Sequence, residues 1–303
     1  MGWDFGNLWA AGQAILQGID PYSLPHFRYP LPMAYFMAIW ALIPRDTAFI
    51  LWGVLNFTLL VWAFRRDVWK WMLYFPVLHE FYLGENELLF WCIERVLQPG
   101  WRGAIMGAFM TLKPQTAFVL LSWHLWQWLR YDRVTFVRWL GCTILLWSLP
   151  LLWRPHWVSD WLLGRASESS GSEAWLFSFS NTTGIFSLLR FSYDLFIPLV
   201  IVACIVASWG LFFSKSKEIA RACLFLANPI GLLYGQMQLM GTAPAYILVP
   251  LNLITVTIAL LTQNFAVCML VPIAVIVWNW WQQKNKDVAT QQSLHNVPSS
   301  SQL

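Results

Sequence analysis

From Thr47 to Phe64 the chain runs eighteen residues without a charge, bracketed by Pro44-Arg45-Asp46 and Arg65-Arg66-Asp67. As a helix, that run is about 27 Å long, close to the hydrocarbon thickness of a bilayer. Backbone polar groups in lipid find partners only within the helix itself, so such a run is expected to be helical. Further spans are expected at Phe136 to Trp153, Asp194 to Phe213, about Arg221 to Leu233, Ala245 to Leu261 and Phe265 to Trp281. Composition agrees. The chain is 58% hydrophobic and 11% charged, with a mean hydropathy of +0.53. Soluble domains carry roughly 25% charged residues. The 22 tryptophans are enough to line both membrane interfaces. A net charge of +4 fits basic cytoplasmic loops and gives no reason to invoke nucleic acid.

Shorter apolar segments have a different character. Leu31 to Ile43 is bracketed by prolines and reads as a re-entrant or interfacial helix, or as a bent extension of the first span. Trp69 to Leu83 and Leu88 to Leu97 are separated by "GENE", which predicts a helical hairpin. Trp101 to Leu112 and Pro114 to Leu129 form a second hairpin, broken at "LKPQ", because proline cannot continue the ladder of backbone bonds. The expected fold is all-α: a multi-pass transmembrane protein of about nine to ten membrane helices, short broken ones included. Residues 1–283 form the membrane domain, and 284–303 form a polar, disordered tail. Asp4 interrupts any signal peptide, and no solenoid repeat is visible. The five cysteines stand alone in apolar runs and read as inert thiols.

Basic clusters fall at Arg65/Arg66/Lys70, Arg95/Arg102, Arg130/Arg133/Arg138, Lys215/Lys217/Arg221 and Lys284/Lys286. Placing them in the cytoplasm makes two loops external, at 1–45 and 154–190, together with "GENE" and Lys113. Three segments lie between Lys217 and Lys284, so either one is re-entrant or the tail is external. Within 154–190, "RASESSGSEAW" reads as flexible, and Asn181-Thr182-Thr183 matches a glycosylation sequon without meaning in a bacterial protein.

The odd polar residues then share one face: Asp4, Asp20, Arg28, Glu80, Glu85, Asn86, Glu87 and Lys113. Ionisable groups at membrane depth are costly and usually line a cavity or pathway. Lys113, between two short apolar helices, suits a phosphate as a compact point charge, and Arg28 in "HFRYPLP" suits a second such contact. Trp3, Tyr22 and Tyr29 could stack on a sugar ring or serve as interface anchors. "HEFYL" at His79 to Leu83 lacks the second histidine of a metalloprotease helix. No GxxxxGK[ST], GxGxxG or Gly-x-Ser-x-Gly occurs, which argues against nucleotide binding and hydrolase machinery.

"DFGNLWAAGQAILQGIDPYSLPHFRYPLP" resembles the opening of the glycosyltransferase family 87 proteins, multi-pass enzymes of the GT-C superfamily. Its members look like Asp-Phe, a short helix, Leu-x-Gly-x-Asp-Pro-Tyr and a Tyr-Pro-x-Pro turn. "IPRDTAFILWGVLN" resembles their next stretch, "GENELLF" sits where they carry Gly-Gln-x-Asn, and "GAIMGAFMTLKPQ" is similar to their small-residue helix ending in Lys-Pro. "LANP" loosely resembles a later Ser-Pro. The resemblance runs from Asp4 to about Arg130.

The resemblance implies a GT-C-like fold and transfer of a hexose, typically mannose, from a polyprenyl-phosphate donor to a glycan or glycolipid acceptor outside the cytoplasmic membrane. No cofactor or metal is expected. Asp4 matches the catalytic base. Lys113, Arg28, Asn86 and Glu85 become donor-phosphate residues, and Asp20, Tyr22 and Tyr29 become sugar or acceptor contacts. There are departures: Glu85 replaces the family's glutamine, and where members carry a membrane helix ahead of Asp-Phe only Met1-Gly2-Trp3 stand here, so Asp4 is expected on an untethered end. The competing expectations are a transporter or flippase of a lipid-linked precursor and a catalytically silent homologue.

Overall fold

The computed structural model describes residues 2–167 and 182–295, and among these every regular element is helical. Five helical stretches are long and apolar enough to cross a membrane: Arg45–Trp71, Arg133–Leu152, Tyr193–Phe213, Ala245–Thr262 and Phe265–Val288. Their outward faces carry exposed Ile50, Val54, Ile144, Ile201 and Leu261. That much apolar surface is stable against lipid and unstable against water. The protein is an all-helical membrane protein.

Helix α1 (Trp3–Leu16) and helix α2 (Leu31–Trp40) pack as a hairpin, so α2 is a helix of its own and no extension of the next span. They touch at Gly12, where an added Cβ would lie 2.5 Å from the carbonyl oxygen of Met37. Small residues permit this backbone approach, which in a bilayer replaces the missing hydrophobic drive. Trp9 Nε1 donates to the Ile43 carbonyl at 3.1 Å, and Gln13 donates to that of Ala41. Helix α3 (Arg45–Phe64) starts after Pro44 and stops at Arg65, whose φ of 49° ends the ladder.

Next come α4 (Val68–Trp71), α5 (Phe75–Leu83), α6 (Glu87–Arg95), α7 (Trp101–Met110) and α8 (Pro114–Tyr131). These are the two broken hairpins, and they contribute Trp91, Phe90 and Met110 to the main buried core. Helix α9 (Arg133–Ser148) packs on α7 and is capped by Asp132, which accepts from the Thr135 amide. Helix α10 (Trp157–Ser167) and a 3-10 turn at Ile185–Arg190 give the 154–190 region helical structure at both ends. "RASESSGSEAW" falls mostly, and Asn181 entirely, outside the described residues.

The last part departs from expectation. Helix α11 (Phe196–Ser208) leads into α12 (Lys217–Ala227), which ends at Asn228-Pro229 rather than at Leu233. The chain then returns as a 3-10 stretch at Leu233–Leu239 before α13 (Ala245–Thr262) and α14 (Leu270–His295). This return crosses back through the helices. Tyr234 lies at Lys113, whereas Met240 accepts from Trp91 and Gly241 lies beside Arg95. An irregular backbone is tolerated there because it is buried in protein, with Gln236, Gln238 and Met237 shielded from the surface.

The return ends with Gly241 beside Arg95, at the basic end. Asn279 donates to the Thr242 carbonyl, and Trp278 lines one cavity with Asp67 and Lys70. The polar end of α14 therefore lies with the basic clusters. It remains helical through His295, where a disordered tail from residue 284 was expected, because the span's ladder continues into the polar sequence.

Candidate functional site

The site forms where the two broken hairpins meet. Gly84 closes α5 with φ +73°, and a Cβ there would lie 2.6 Å from the Cβ of Phe5. Only glycine admits both the left-handed turn and the approach of α1. Glu85 and Asn86 follow, and α6 restarts at Glu87. On the second hairpin, Pro114 opens α8, so Lys113 stands in the gap before it.

Lys113 has no exposed surface. Its Nζ lies 2.7 Å from Asn86 Oδ1, 2.9 Å from Glu87 Oε1 and 3.2 Å from Glu85 Oε2. The rings of Tyr29 and Tyr234 flank it at 5.8 and 5.3 Å. Thr116 donates to Glu87 at 2.9 Å, and Gln238 Nε2 donates to Glu87 Oε2 at 3.2 Å. Glu80 accepts from the Leu88 amide at 3.2 Å. The lysine donates to Asn86 and Glu85 and is ion-paired with Glu87 as well. A donor phosphate could reach it only by displacing a carboxylate, so the geometry makes Lys113 the organiser of an acidic cluster. Glu85 is paired, which answers the repulsion that a carboxylate in place of glutamine would cause. Asn86 Nδ2 and Glu80 Oε2 are buried there without a hydrogen-bond partner among the described residues.

Asp4 is not loose. The Gly2 amide donates to the Tyr82 carbonyl at 2.8 Å, and Phe5 packs on Phe49 and Trp52. Trp52 Nε1 in turn donates to the Glu85 carbonyl at 2.9 Å. This brings the half-buried Asp4 carboxyl onto Glu85. Burial first, then the charge and hydrogen bonding of Glu85, push the Asp4 carboxyl up to about 7, against the opposing pull of Lys113.

The rim has its own residues. Asp20 caps a 3-10 turn, accepting from the Tyr22 amide, and pairs with Arg154 at 2.9 Å. Tyr22 donates to the Tyr29 carbonyl at 3.2 Å. Arg28 is exposed, and its carbonyl accepts from Trp161 of α10 at 3.1 Å. So Asp4, Glu85, Asn86, Lys113 and Tyr29 share the buried site, while Asp20, Tyr22 and Arg28 stand at its rim. The sequence reading missed Thr116, Arg154, Tyr234 and Gln238. Their partners lie up to 151 positions away. "NPIGLLYGQMQ", a polar break between two spans, was the one available signal.

A second buried ion cluster lies toward the basic end. Glu94 meets Arg221 at 2.6 Å and His124 at 2.9 Å, and also pairs with Lys217. An acid in the apolar run "ELLFWCIER" was its only trace in the sequence. Among the described residues no group of three or more His, Cys, Asp or Glu side chains could hold a metal ion. Comparison of the chain with protein-family models, curated proteins and solved structures returns no match in any of the three.

Proposed function

We propose that this protein is a membrane glycosyltransferase that moves a hexose, mannose by the resemblance of its opening stretch, from a polyprenyl-phosphate donor to a hydroxyl of a glycan or glycolipid. The supporting observation is the placement of Asp4. The acid that heads the resembling stretch is half-exposed, docked on Glu85, and titrates about 7, where a general base works best. In the reaction the acceptor oxygen bonds to the anomeric carbon. The bond from that carbon to the phosphate oxygen breaks, and its electron pair leaves with polyprenyl phosphate. The acceptor proton goes to Asp4. A single displacement of this kind inverts the anomeric centre. The leaving phosphate is met by the rim cations Arg28 and Arg154 rather than by Lys113. The unpartnered Asn86 Nδ2 suits a sugar oxygen. The rim faces away from the basic clusters, hence outside the cytoplasmic membrane of a bacterium.

One observation favours a second reading, a transporter of a lipid-linked precursor. Polar contacts run from Asp4 through Glu85, Lys113, Glu87 and Gln238 to Arg221, Glu94 and Lys217. Broken helices with ionisable groups at depth also suit transport. Incubating vesicles with labelled polyprenyl-phosphate mannose separates the readings. Label in a glycan or glycolipid supports transfer, and label moved across the bilayer still on its lipid supports transport. Label that does neither supports a silent homologue.

A further inference from the structure

A cavity of about 770 Å³ lies at the opposite end from Asp4, independent of the reading above. Two helix faults create it. At one, α3 stops at Arg65 (φ 49°, ψ −117°) and the chain resumes as a 3-10 turn into α4. At the other, Pro244 precedes α13 and Pro250 lies within it, leaving the Tyr246 carbonyl without its helical donor. Phe64, Trp69, Trp71, Tyr246 and Trp278 line the space between. Trp69 and Tyr246 are 67% and 74% exposed, so the cavity is open beside two rings of the kind that anchor at membrane interfaces.

The rim is basic. Lys70 lines the cavity and pairs with Asp67 at 2.5 Å, whereas no described carboxylate pairs with the exposed neighbours Arg65 and Arg66. Behind Gly241, which also lines the cavity, the Arg95 guanidinium stacks on Trp91 at 4.8 Å. The segment 65–70 that borders this apolar, aromatic chamber thus carries three cations, Arg65, Arg66 and Lys70, against one acid, Asp67. The volume falls in the range of small-molecule sites, roughly 300–1,000 Å³. Anionic membrane lipids offer an anion joined to an apolar chain, and phospholipids are the bulk of them. We infer that this cavity takes an acyl chain of an anionic phospholipid, with Arg66 and Lys70 holding its phosphate.

Native mass spectrometry of the full chain tests this. The delipidated protein is given dioleoyl phosphatidylglycerol or dioleoyl phosphatidylcholine, which differ only in the headgroup. One phosphatidylglycerol should be retained at least about ten-fold more tightly than phosphatidylcholine, since each cation near an anionic headgroup is worth roughly five-fold. Arg66→Ala with Lys70→Ala should remove most of that preference and leave phosphatidylcholine unchanged. Ala245→Phe, which fills the cavity, should reduce retention of both lipids. Equal retention of the two lipids by the wild type overturns the proposal. So does a preference that survives the paired alanine variant, whose exposed sites do not threaten folding.

Discussion

Glu87 and Glu94 stand at opposite ends of one nine-residue helix, and cations from separate stretches of chain hold each of them. Lys113 takes Glu87, and Arg221 with Lys217 takes Glu94. The rise between the two acids is about 10 Å. Gln238 spans that distance, donating from its side chain to Glu87 and accepting from Arg221 at its carbonyl. A helix this short is marginal by itself, so its position depends on these clamps.

Removing Lys113 should therefore cost stability before it costs anything else. Lys113→Met leaves Glu85 and Glu87 buried without a cation, and breaking a buried pair costs about 3–5 kcal/mol. Thermal denaturation in detergent should show a clear loss, partly recovered by adding Glu87→Gln. A Lys113→Met protein that melts like the wild type would remove the organising role assigned to this lysine.

Asp4 gives a pH signature. A base that titrates about 7 is protonated and idle below that value, so transfer should rise as pH passes upward through 7. Asp4→Asn should abolish it, by roughly 100- to 10,000-fold, with folding retained. Asp20→Asn, which breaks only the rim pair with Arg154, should act far more weakly. A near-normal rate for Asp4→Asn would remove the base from Asp4.

The same shift has a consequence for folding. The Asp4 carboxyl is raised in the folded protein, so the native state holds its proton longer than the unfolded chain. The stabilisation is complete below about 4 and is lost as pH rises through about 7. Melting temperature between pH 5 and pH 8 should accordingly fall less in Asp4→Asn than in wild type. Identical pH profiles would mean that the carboxyl is not raised.

Sidedness is open to labelling. In a cysteine-free background, His156→Cys, Arg130→Cys and Lys284→Cys all place thiols on exposed residues. An impermeant reagent on intact cells should label position 156 and spare 130 and 284. Lys113 itself is unsuited to this assay, being fully buried. Labelling at 284 but not at 130 would contradict the placement of the α14 end with the basic clusters.

Gly12 should tolerate no side chain. Gly12→Ala sets a Cβ against the Met37 backbone, which cannot yield as a flexible side chain could, and should cost about 1–3 kcal/mol. Because α1 carries Asp4, the separation should also slow transfer. A Gly12→Ala protein with wild-type melting and transfer would mean that the α1–α2 contact is looser than its geometry.

The two broken hairpins and the spans other than Arg221 to Leu233 were legible along the chain, because membrane depth constrains length and polarity locally. Thr47 to Phe64 could be read as a crossing from its own residues, and "GENE" and "LKPQ" as breaks from theirs. What only the tertiary structure decided is how the polar residues pair. A lysine at a helix break looks the same whether it faces a phosphate or two carboxylates. Lys113 met Glu85, Asn86 and Glu87 because the two hairpins pack break against break. Asp4 looked loose in sequence because the bond that ties down its helix joins Gly2 to Tyr82, eighty positions on. The buried return at Leu233–Leu239 was hidden for a similar reason. A 3-10 return such as Leu233–Leu239 is stable only inside protein, and its partners Glu87 and Tyr74 lie far off in the chain. Local periodicity carries no record of such partners, since they come together only when the helices do.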